Sequence, residues 1–128
     1  MQKEKLFLPL LLVGMTVLAH GCAVAWVGAG AGTVIYTMGD LGAVVAKDIN
    51  AVYQATLKTL EQLELRVSSK VKDALAAKIV ARDAQDKKIT IKLTATAEDA
   101  TKLSIRVGLF GNETKSRLIY EQIQKNLK

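Results

Sequence analysis

Two hydrophobicity patterns divide the chain near residue 40. Residues 6–39 contain no charged side chain. From residue 40 onward, apolar and polar residues alternate with regular periods, as they do in elements that bury one side in a core and expose the other to water. The pattern therefore predicts a small folded domain over residues 40–128, preceded by a long apolar segment.

Two segments of this domain have the three- and four-residue spacing of amphipathic helices. The first covers residues 48–63, with Asp48 as its N-cap. Its apolar stripe comprises Ile49, Val52, Tyr53, Thr56, Leu60 and Leu63. The second begins after Asn112, a fitting N-cap, and carries Glu113 in its first turn. Its stripe comprises Ile119, Tyr120, Ile123 and Leu127. The stripe does not explain Leu118, which points away from it.

Between the two helices the period changes to two, which is typical of strands with one apolar and one polar face. Breaks at residues 72–73, 83–86 and 98–100 separate four such strands. Their inward-facing residues are predicted to be Leu65, Val67, Ser69, Val71, Leu75, Ala77, Ile79, Ala81, Ile89, Ile91, Leu93, Ala95, Leu103, Ile105, Val107 and Leu109. Residues 40–47 are a candidate for one extra short strand. Because both helices must cover the apolar face, the predicted fold is a two-layer α+β sandwich of helix, four-stranded antiparallel meander and helix.

The beginning of the chain has the parts of a secretory signal peptide. Lys3 and Lys5 precede fourteen mostly apolar residues, and small Gly21 precedes Cys22, the only cysteine. A cysteine directly after the cleavage site is typical of bacterial lipoproteins, in which the thiol receives acyl chains such as palmitate and anchors the protein in the membrane. We therefore predict a signal peptide over residues 1–21, lipid attachment at Cys22, and a lipid-anchored apolar Gly/Ala-rich linker over residues 22–39.

Two features leave the anchor open to a second interpretation. Ala19 and His20 depart from the usual lipoprotein motif, which has Leu and a small residue at these places, so the signal is an atypical substrate for cleavage. Residues 6–39 are also longer than the ~20 apolar residues that span a bilayer. An uncleaved single-span membrane protein is therefore the alternative. Under the lipoprotein interpretation, Ala23 rather than Asp after the cysteine implies an outer-membrane location facing the periplasm.

The residues needed for common catalytic and metal sites are scarce. The one histidine, His20, lies in the signal segment, and the one cysteine lies at the cleavage site, so the domain has neither the nucleophile–histidine pair nor the Cys/His ligands of a zinc site. Acidic residues at 83, 86, 98 and 99 fall in predicted turns, where turn chemistry explains them. The glycines at 28, 30 and 32 do not match a dinucleotide-binding motif. We therefore predict no enzyme activity, no cofactor and no metal.

Charge gives the domain its one candidate site. The chain carries a formal net charge of +6, and it stays basic after loss of the signal peptide. Strand parity places seven basic residues on the polar sheet face with no acidic residue alternating among them: Arg66, Lys70, Lys78, Arg82, Lys92, Lys102 and Arg106. A solvated face is the simpler interpretation, because sheet faces in water are normally polar. The functional interpretation is a surface for the phosphates of anionic lipid, for an anionic glycan or for an acidic envelope protein, rather than for nucleic acid.

Several stretches resemble one known family. They are GCAVAWVGAGAG, GDLGAVVAKDINAVYQATLKTLEQLELRV, KDALAAKIVARDAQDKKITIKL and TKLSIRVGLFGNETKSRLIYEQIQKNL. The chain is similar along nearly its whole length to the short bacterial lipoproteins grouped as domain of unknown function 3568. The resemblance implies a membrane-anchored envelope lipoprotein and supplies no catalytic residues. We therefore predict a binding or scaffolding module, with a single-span membrane protein or a hydrolase with an unrecognised site as alternatives.

Overall fold

Antiparallel pairing of the alternating segments builds a six-stranded sheet. The computed structural model describes residues 33–128, which belong to one compact unit, Gly32–Lys128. The six strands are β1 (Val34–Thr37), β2 (Asp40–Val45), β3 (Arg66–Lys72), β4 (Ala76–Arg82), β5 (Lys88–Ala97) and β6 (Ala100–Val107). The two helices are α1 (Ile49–Gln62), between β2 and β3, and α2 (Glu113–Asn126), after β6. The predicted α+β class is confirmed.

The sheet is wider than the sequence predicted. Its strand order is β1-β2-β6-β5-β4-β3, so β3 to β6 form a meander of consecutive hairpins and β2 pairs with the free edge of β6. The extra strand predicted over residues 40–47 is β2. Residues 34–37, which the sequence analysis gives to the linker, form β1 and pair with β2 across a two-residue turn at Met38 and Gly39. The prediction of four strands, or five with the extra one, was therefore too low.

One face of the sheet and one side of each helix share a single core. The sheet contributes side chains that are almost completely buried, namely Leu41, Ile79, Ile91, Leu93, Leu103, Ile105 and Val107. The helices contribute Val52 and Leu60 from α1 and Ile119 and Ile123 from α2. Burial of such a side chain stabilises the fold by ~1.5–3 kcal/mol. Because all these residues belong to the unit Gly32–Lys128, we expect it to fold without the preceding residues.

Both predicted helix N-caps are confirmed. The Asp48 carboxylate accepts a hydrogen bond from the Ala51 N–H at 3.4 Å, and the Asn112 side-chain oxygen accepts one from the Lys115 N–H at 3.0 Å. Each satisfies a backbone donor that the first helical turn leaves free. Gln62, which lies off the apolar stripe of α1, has an unforeseen role. Its side-chain oxygen accepts hydrogen bonds of 2.8 Å from the amide groups of two α2 side chains, so it joins the helices.

Several residues predicted to point inward do not. Leu63 caps the end of α1 and is partly exposed, while Leu75 and Leu109 lie in loops and are well exposed. In each case the apolar residue continues the pattern of an element but lies just outside it: Leu63 and Leu109 follow their elements, and Leu75 precedes β4. Across residues 33–128, neither helix combines the length and hydropathy that crossing a membrane requires. The predicted signal peptide, Cys22 and the linker up to residue 32 lie outside the described residues.

Candidate functional site on the open face of the sheet

The helices cover one side of the sheet and leave the other side facing solvent; this second side is called the open face here. Residues directly opposite each other on antiparallel strands project to the same side, so the strand register defines which residues share it. Six of the seven predicted basic residues lie on the open face: Arg66, Lys78, Arg82, Lys92, Lys102 and Arg106. The register also adds Lys88, opposite Arg82, which the sequence analysis missed because it begins its strand.

Lys70 is the exception, and a β-bulge explains it. The β3–β4 register shifts between Val67 and Ser69, which leaves Ser68 as an extra residue without a direct partner. An extra residue inverts the alternation of every position that follows. Lys70 is therefore opposite Ile79, on the side of the sheet that the helices cover. The prediction that Lys70 belongs to the basic face was wrong.

Lys72 confirms the inverted side of β3 beyond the bulge. Its Nζ lies 5.8 Å from the centroid of the Tyr53 ring on α1, a distance suited to a cation–π contact. Ser68 itself donates a hydrogen bond of 3.1 Å from its hydroxyl to the Val80 carbonyl oxygen, so the bulge is tied to β4. The inverted alternation after the bulge also places apolar Val71 on the open face, opposite Lys78.

Arg106 is engaged in holding the fold together. Its guanidinium donates to the carbonyl oxygens of Met38 at 3.1 Å and Leu109 at 2.7 and 3.2 Å. It also forms an ion pair of 3.1 Å with Asp40, which lies directly opposite it on β2. The prediction that no acidic residue lies among the basic ones was therefore wrong. Arg106 joins two loops at one end of the sheet and has little capacity left for an external anion.

Arg66 and Arg82 are partly neutralised. They are opposite each other, and both face Asp86, at 3.6 Å and 4.0 Å respectively. Arg82 also donates a hydrogen bond of 3.1 Å to the Asp86 carbonyl oxygen. Ion pairs this exposed contribute ~0–1 kcal/mol each, so the pairing balances charge more than it stabilises the domain.

Four lysines of the open face form no ion pair within residues 33–128: Lys78, Lys88, Lys92 and Lys102. Three of them, Lys78, Lys92 and Lys102, are neighbours across the strands, and we call these three the lysine cluster. Lys78 is directly opposite Lys92 on the neighbouring strands β4 and β5. Lys102 is opposite Thr94, which makes it a diagonal neighbour of Lys92. Within residues 33–128, no carboxylate forms an ion pair with any of the three. Like charges directly opposite each other on a sheet are destabilising, so the fold gains nothing electrostatically from this arrangement.

An apolar depression borders the lysine cluster. Gly42 on β2 has no side chain, and it leaves a dip of about 370 Å³ between Ile35, Val44 and Ser104. Ile35 and Val44 are both exposed on the open face. Lys102 lies at its rim. The open face therefore offers ammonium groups at its centre and apolar surface towards the β1 edge.

The predicted acidic turns have the structural role expected of them. One Asp83 carboxylate oxygen accepts hydrogen bonds from the backbone N–H groups of Gln85 at 2.9 Å and Lys87 at 2.8 Å, closing the β4–β5 turn. The bond from Lys87 is the main cause that lowers the pKa of Asp83. Glu98 and Asp99 form the turn between β5 and β6. Over residues 33–128 no three His, Cys, Asp or Glu side chains come together as they would around a metal ion.

These features define a small α+β domain with one sheet face under two helices and the other face open and basic. The chain belongs to the family described as protein of unknown function (DUF3568), whose model matches residues 5–126. The match begins well before the first strand, so it includes the apolar segment as well as the folded unit. A search of curated proteins finds no match. The family resemblance seen in the sequence is thus confirmed, while the lipoprotein character stays a prediction.

Proposed function

We propose that this protein is a membrane-anchored bacterial envelope lipoprotein whose folded domain binds an anionic lipid surface through the lysine cluster. The observation that carries the proposal is the unneutralised pair of Lys78 and Lys92, directly opposite each other on β4 and β5 of the open face. If only the stability of the sheet mattered, an opposite charge or a threonine would be favoured at one of these positions. An external anion would turn the repulsion into a shared binding site.

The chemistry of the cluster favours lipid headgroups over an acidic protein. Lysine presents a compact charge on a flexible stem, which suits phosphates in many orientations. Each lysine near an anionic membrane contributes about 1 kcal/mol, and the attraction falls away within a Debye length. Three lysines on one face therefore give binding that is weak alone and becomes effective once an anchor holds the domain near the surface. The exposed Ile35 and Val44 add apolar contact beside them.

The anchor in this proposal is an acylated Cys22. One acyl chain gives only marginal membrane binding, and two or more make anchoring stable. The test is the intact mass of the membrane-extracted protein and of Cys22→Ser. The wild type should begin at residue 22 and carry the mass of its acyl chains, and the variant should stay unprocessed. An unmodified wild-type chain beginning at Met1 would contradict lipidation and favour the single-span alternative.

Vesicle binding of the fragment Gly32–Lys128 tests the lysine cluster. The triple variant Lys78→Glu, Lys92→Glu and Lys102→Glu should no longer sediment with phosphatidylglycerol-containing vesicles at low salt. A control triple reverses Lys58, Lys125 and Lys128, which lie on α1 or at the C-terminal end and are exposed. It changes the net charge by the same amount on the other layer of the domain, and it should bind like the wild type.

Two results would contradict the proposal. If both triples lose binding equally, net charge and not the lysine cluster is responsible. If the wild-type fragment ignores anionic vesicles at low salt, the partner is not lipid, and an acidic protein becomes the candidate for the open face. Wild-type binding should also weaken steeply with added salt, because the contacts are between exposed charges.

A further inference from the structure

Three large apolar side chains are exposed together at one end of the sheet. Met38 lies in the β1–β2 turn, and Leu109 and Phe110 lie in the loop between β6 and α2. Their exposed fractions are 93%, 78% and 87%. Because Arg106 donates hydrogen bonds to the carbonyl oxygens of both Met38 and Leu109, the two loops lie side by side. We call Met38, Leu109 and Phe110 the apolar tip.

The backbone of the apolar tip is closely packed. A Cβ at Gly39 would lie 2.7 Å from the Phe110 carbonyl oxygen, and one at Gly111 would collide with the backbone of Gly39 and approach the Tyr36 hydroxyl to 2.6 Å. Both glycines also have positive φ, 87° and 86°. Only glycine fits such positions without strain. The chain therefore fixes both loops tightly against each other and directs the apolar side chains outward.

Met38 is the least expected residue of the tip. It has a φ of 53°, and Gly39 follows with a positive φ. Two-residue hairpin turns with this geometry favour Asn-Gly, Asp-Gly or Gly-Gly, since asparagine, aspartate and glycine tolerate a left-handed backbone. Methionine does not, and here its side chain is almost entirely in solvent. Neither backbone preference nor burial accounts for methionine at this position.

Two lysines lie beside the tip. The Lys87 side chain lies beside Gly108: a Cβ added at Gly108 would be 3.4 Å from the Cδ of Lys87. Lys88 is the next residue in the chain. Neither lysine forms an ion pair within the part of the chain that the structure describes. The nearby carboxylates of Asp40, Asp83 and Asp86 are all ion-paired. Glu64, which follows α1 and lines a pocket together with Val107, forms no ion pair within residues 33–128.

We propose that the apolar tip inserts into the interfacial region of an anionic lipid bilayer. Exposed apolar side chains with lysines beside them are the composition that binds this region, because the apolar groups leave water while the ammonium groups stay at the headgroups. The tip is at the far end of β1 from Thr33, where the folded unit joins the rest of the chain. It is therefore a membrane contact separate from the anchor. The proposal shares its lipid partner with the proposed function but depends on different residues.

A tryptophan reporter in the full-length protein tests the insertion. The chain has one tryptophan, Trp26, so Trp26→Phe gives a background without that fluorophore. Phe110→Trp then reports on the apolar tip. Leu75→Trp is the matched control, because Leu75 is 68% exposed in the β3–β4 turn at the opposite end of the sheet. Both variants are reconstituted into vesicles of phosphatidylcholine with phosphatidylglycerol.

The emission of the Phe110→Trp protein should shift to the blue and be quenched by brominated lipid, while the Leu75→Trp protein should show neither change. Equal responses of the two reporters, or no response of Phe110→Trp, would overturn the inference. Failure of the protein to associate with the vesicles would overturn it as well. A second variant of the fragment Gly32–Lys128, with Met38, Leu109 and Phe110 all replaced by serine, should bind anionic vesicles at least tenfold more weakly with an unchanged unfolding midpoint.

The two proposals can fail separately. If the wild-type fragment binds vesicles, the lysine-cluster triple loses binding and the tryptophan at 110 stays in water, then the apolar tip is wrong and the proposed function stands. If the tryptophan at 110 enters the bilayer and the lysine-cluster triple binds like the wild type, the open face is wrong and the apolar tip stands.

Discussion

Replacing Arg106 with alanine should release the two loops that form the apolar tip. The guanidinium donates four hydrogen bonds, one to Met38, two to Leu109 and one to Asp40. A hydrogen bond contributes ~0.5–1.5 kcal/mol net. The Arg106 side chain is 37% exposed, and water competes for such groups, so the lower half of that range applies. For four hydrogen bonds the expected loss is about 2–4 kcal/mol.

Urea unfolding of the fragment Gly32–Lys128 measures this loss. With a slope of about 1.5 kcal/mol per M for a domain of this size, the midpoint should fall by roughly 1.3–2.7 M. Lys102→Ala is the control, because Lys102 lies on the same strand and the same face and forms no ion pair within residues 33–128. It should change stability by less than about 0.5 kcal/mol.

Arg106→Lys separates charge from geometry. Lysine can keep the ion pair with Asp40 but cannot reach both loops, since it lacks the planar fork of the guanidinium. Its stability should therefore lie between those of the wild type and the alanine variant. If Arg106→Ala and Lys102→Ala have the same unfolding midpoint, the two loops do not depend on Arg106. The conclusion that its hydrogen bonds hold the apolar tip together would then be wrong.

Three further predictions concern other parts of the domain. Leu60→Ala should lower the free energy of unfolding in urea by ~2–5 kcal/mol, because Leu60 lies on the buried side of α1. Replacement of the exposed Lys58 by alanine should lower it by less than about 0.5 kcal/mol. Equal losses would contradict the packing of α1. Met38→Asn should raise stability by ~1 kcal/mol, since asparagine tolerates the left-handed backbone, and should weaken membrane insertion; a lower unfolding midpoint would refute this reading of the turn. Hydrogen bonds from the backbone N–H groups of Leu75 and Ala76 lower the pKa of Asp73, so its contribution is present above the unfolded pKa of ~3.9 and is lost as the pH falls through the folded value. Asp73→Asn should therefore lose less stability than the wild type between pH 5 and pH 2, and parallel pH profiles would show that the carboxylate does not contribute.

Local patterns were sufficient for most of the fold. The caps at Asp48 and Asn112, both helices and the strands from β3 to β6 follow from spacing and turn chemistry within short windows of sequence. The first strand was missed because its four residues continue an uncharged, mainly apolar segment, in which a two-residue alternation is hard to see. Its position depends on pairing with β2, which in turn depends on β6, and such pairing leaves no local signal.

The candidate site was harder to predict than the fold. Parity alone placed Lys70 on the open face, and one unpaired residue, Ser68, was enough to invert the assignment. Asp40 was not placed beside Arg106 because the two are separated by 66 residues and meet only through strand order. The apolar tip was invisible for the same reason, since Met38 and Phe110 belong to opposite ends of the sequence of the domain. Leu109 had been given to the core because it extends the alternation of β6.

The pairing of β2 with β6 also fixes an order of assembly. The hairpins from β3 to β6 close over short turns and can form early, whereas β2 must find a partner 66 residues away at Arg106, at a greater cost in chain entropy. The β1–β2 hairpin should therefore join the sheet last. In the folded protein it should open as a unit, and its amide hydrogens should exchange faster than those of β4 and β5. Each opening would bare the edge of β6, so the strand nearest the apolar segment controls how often this domain presents an unpaired edge to its neighbours.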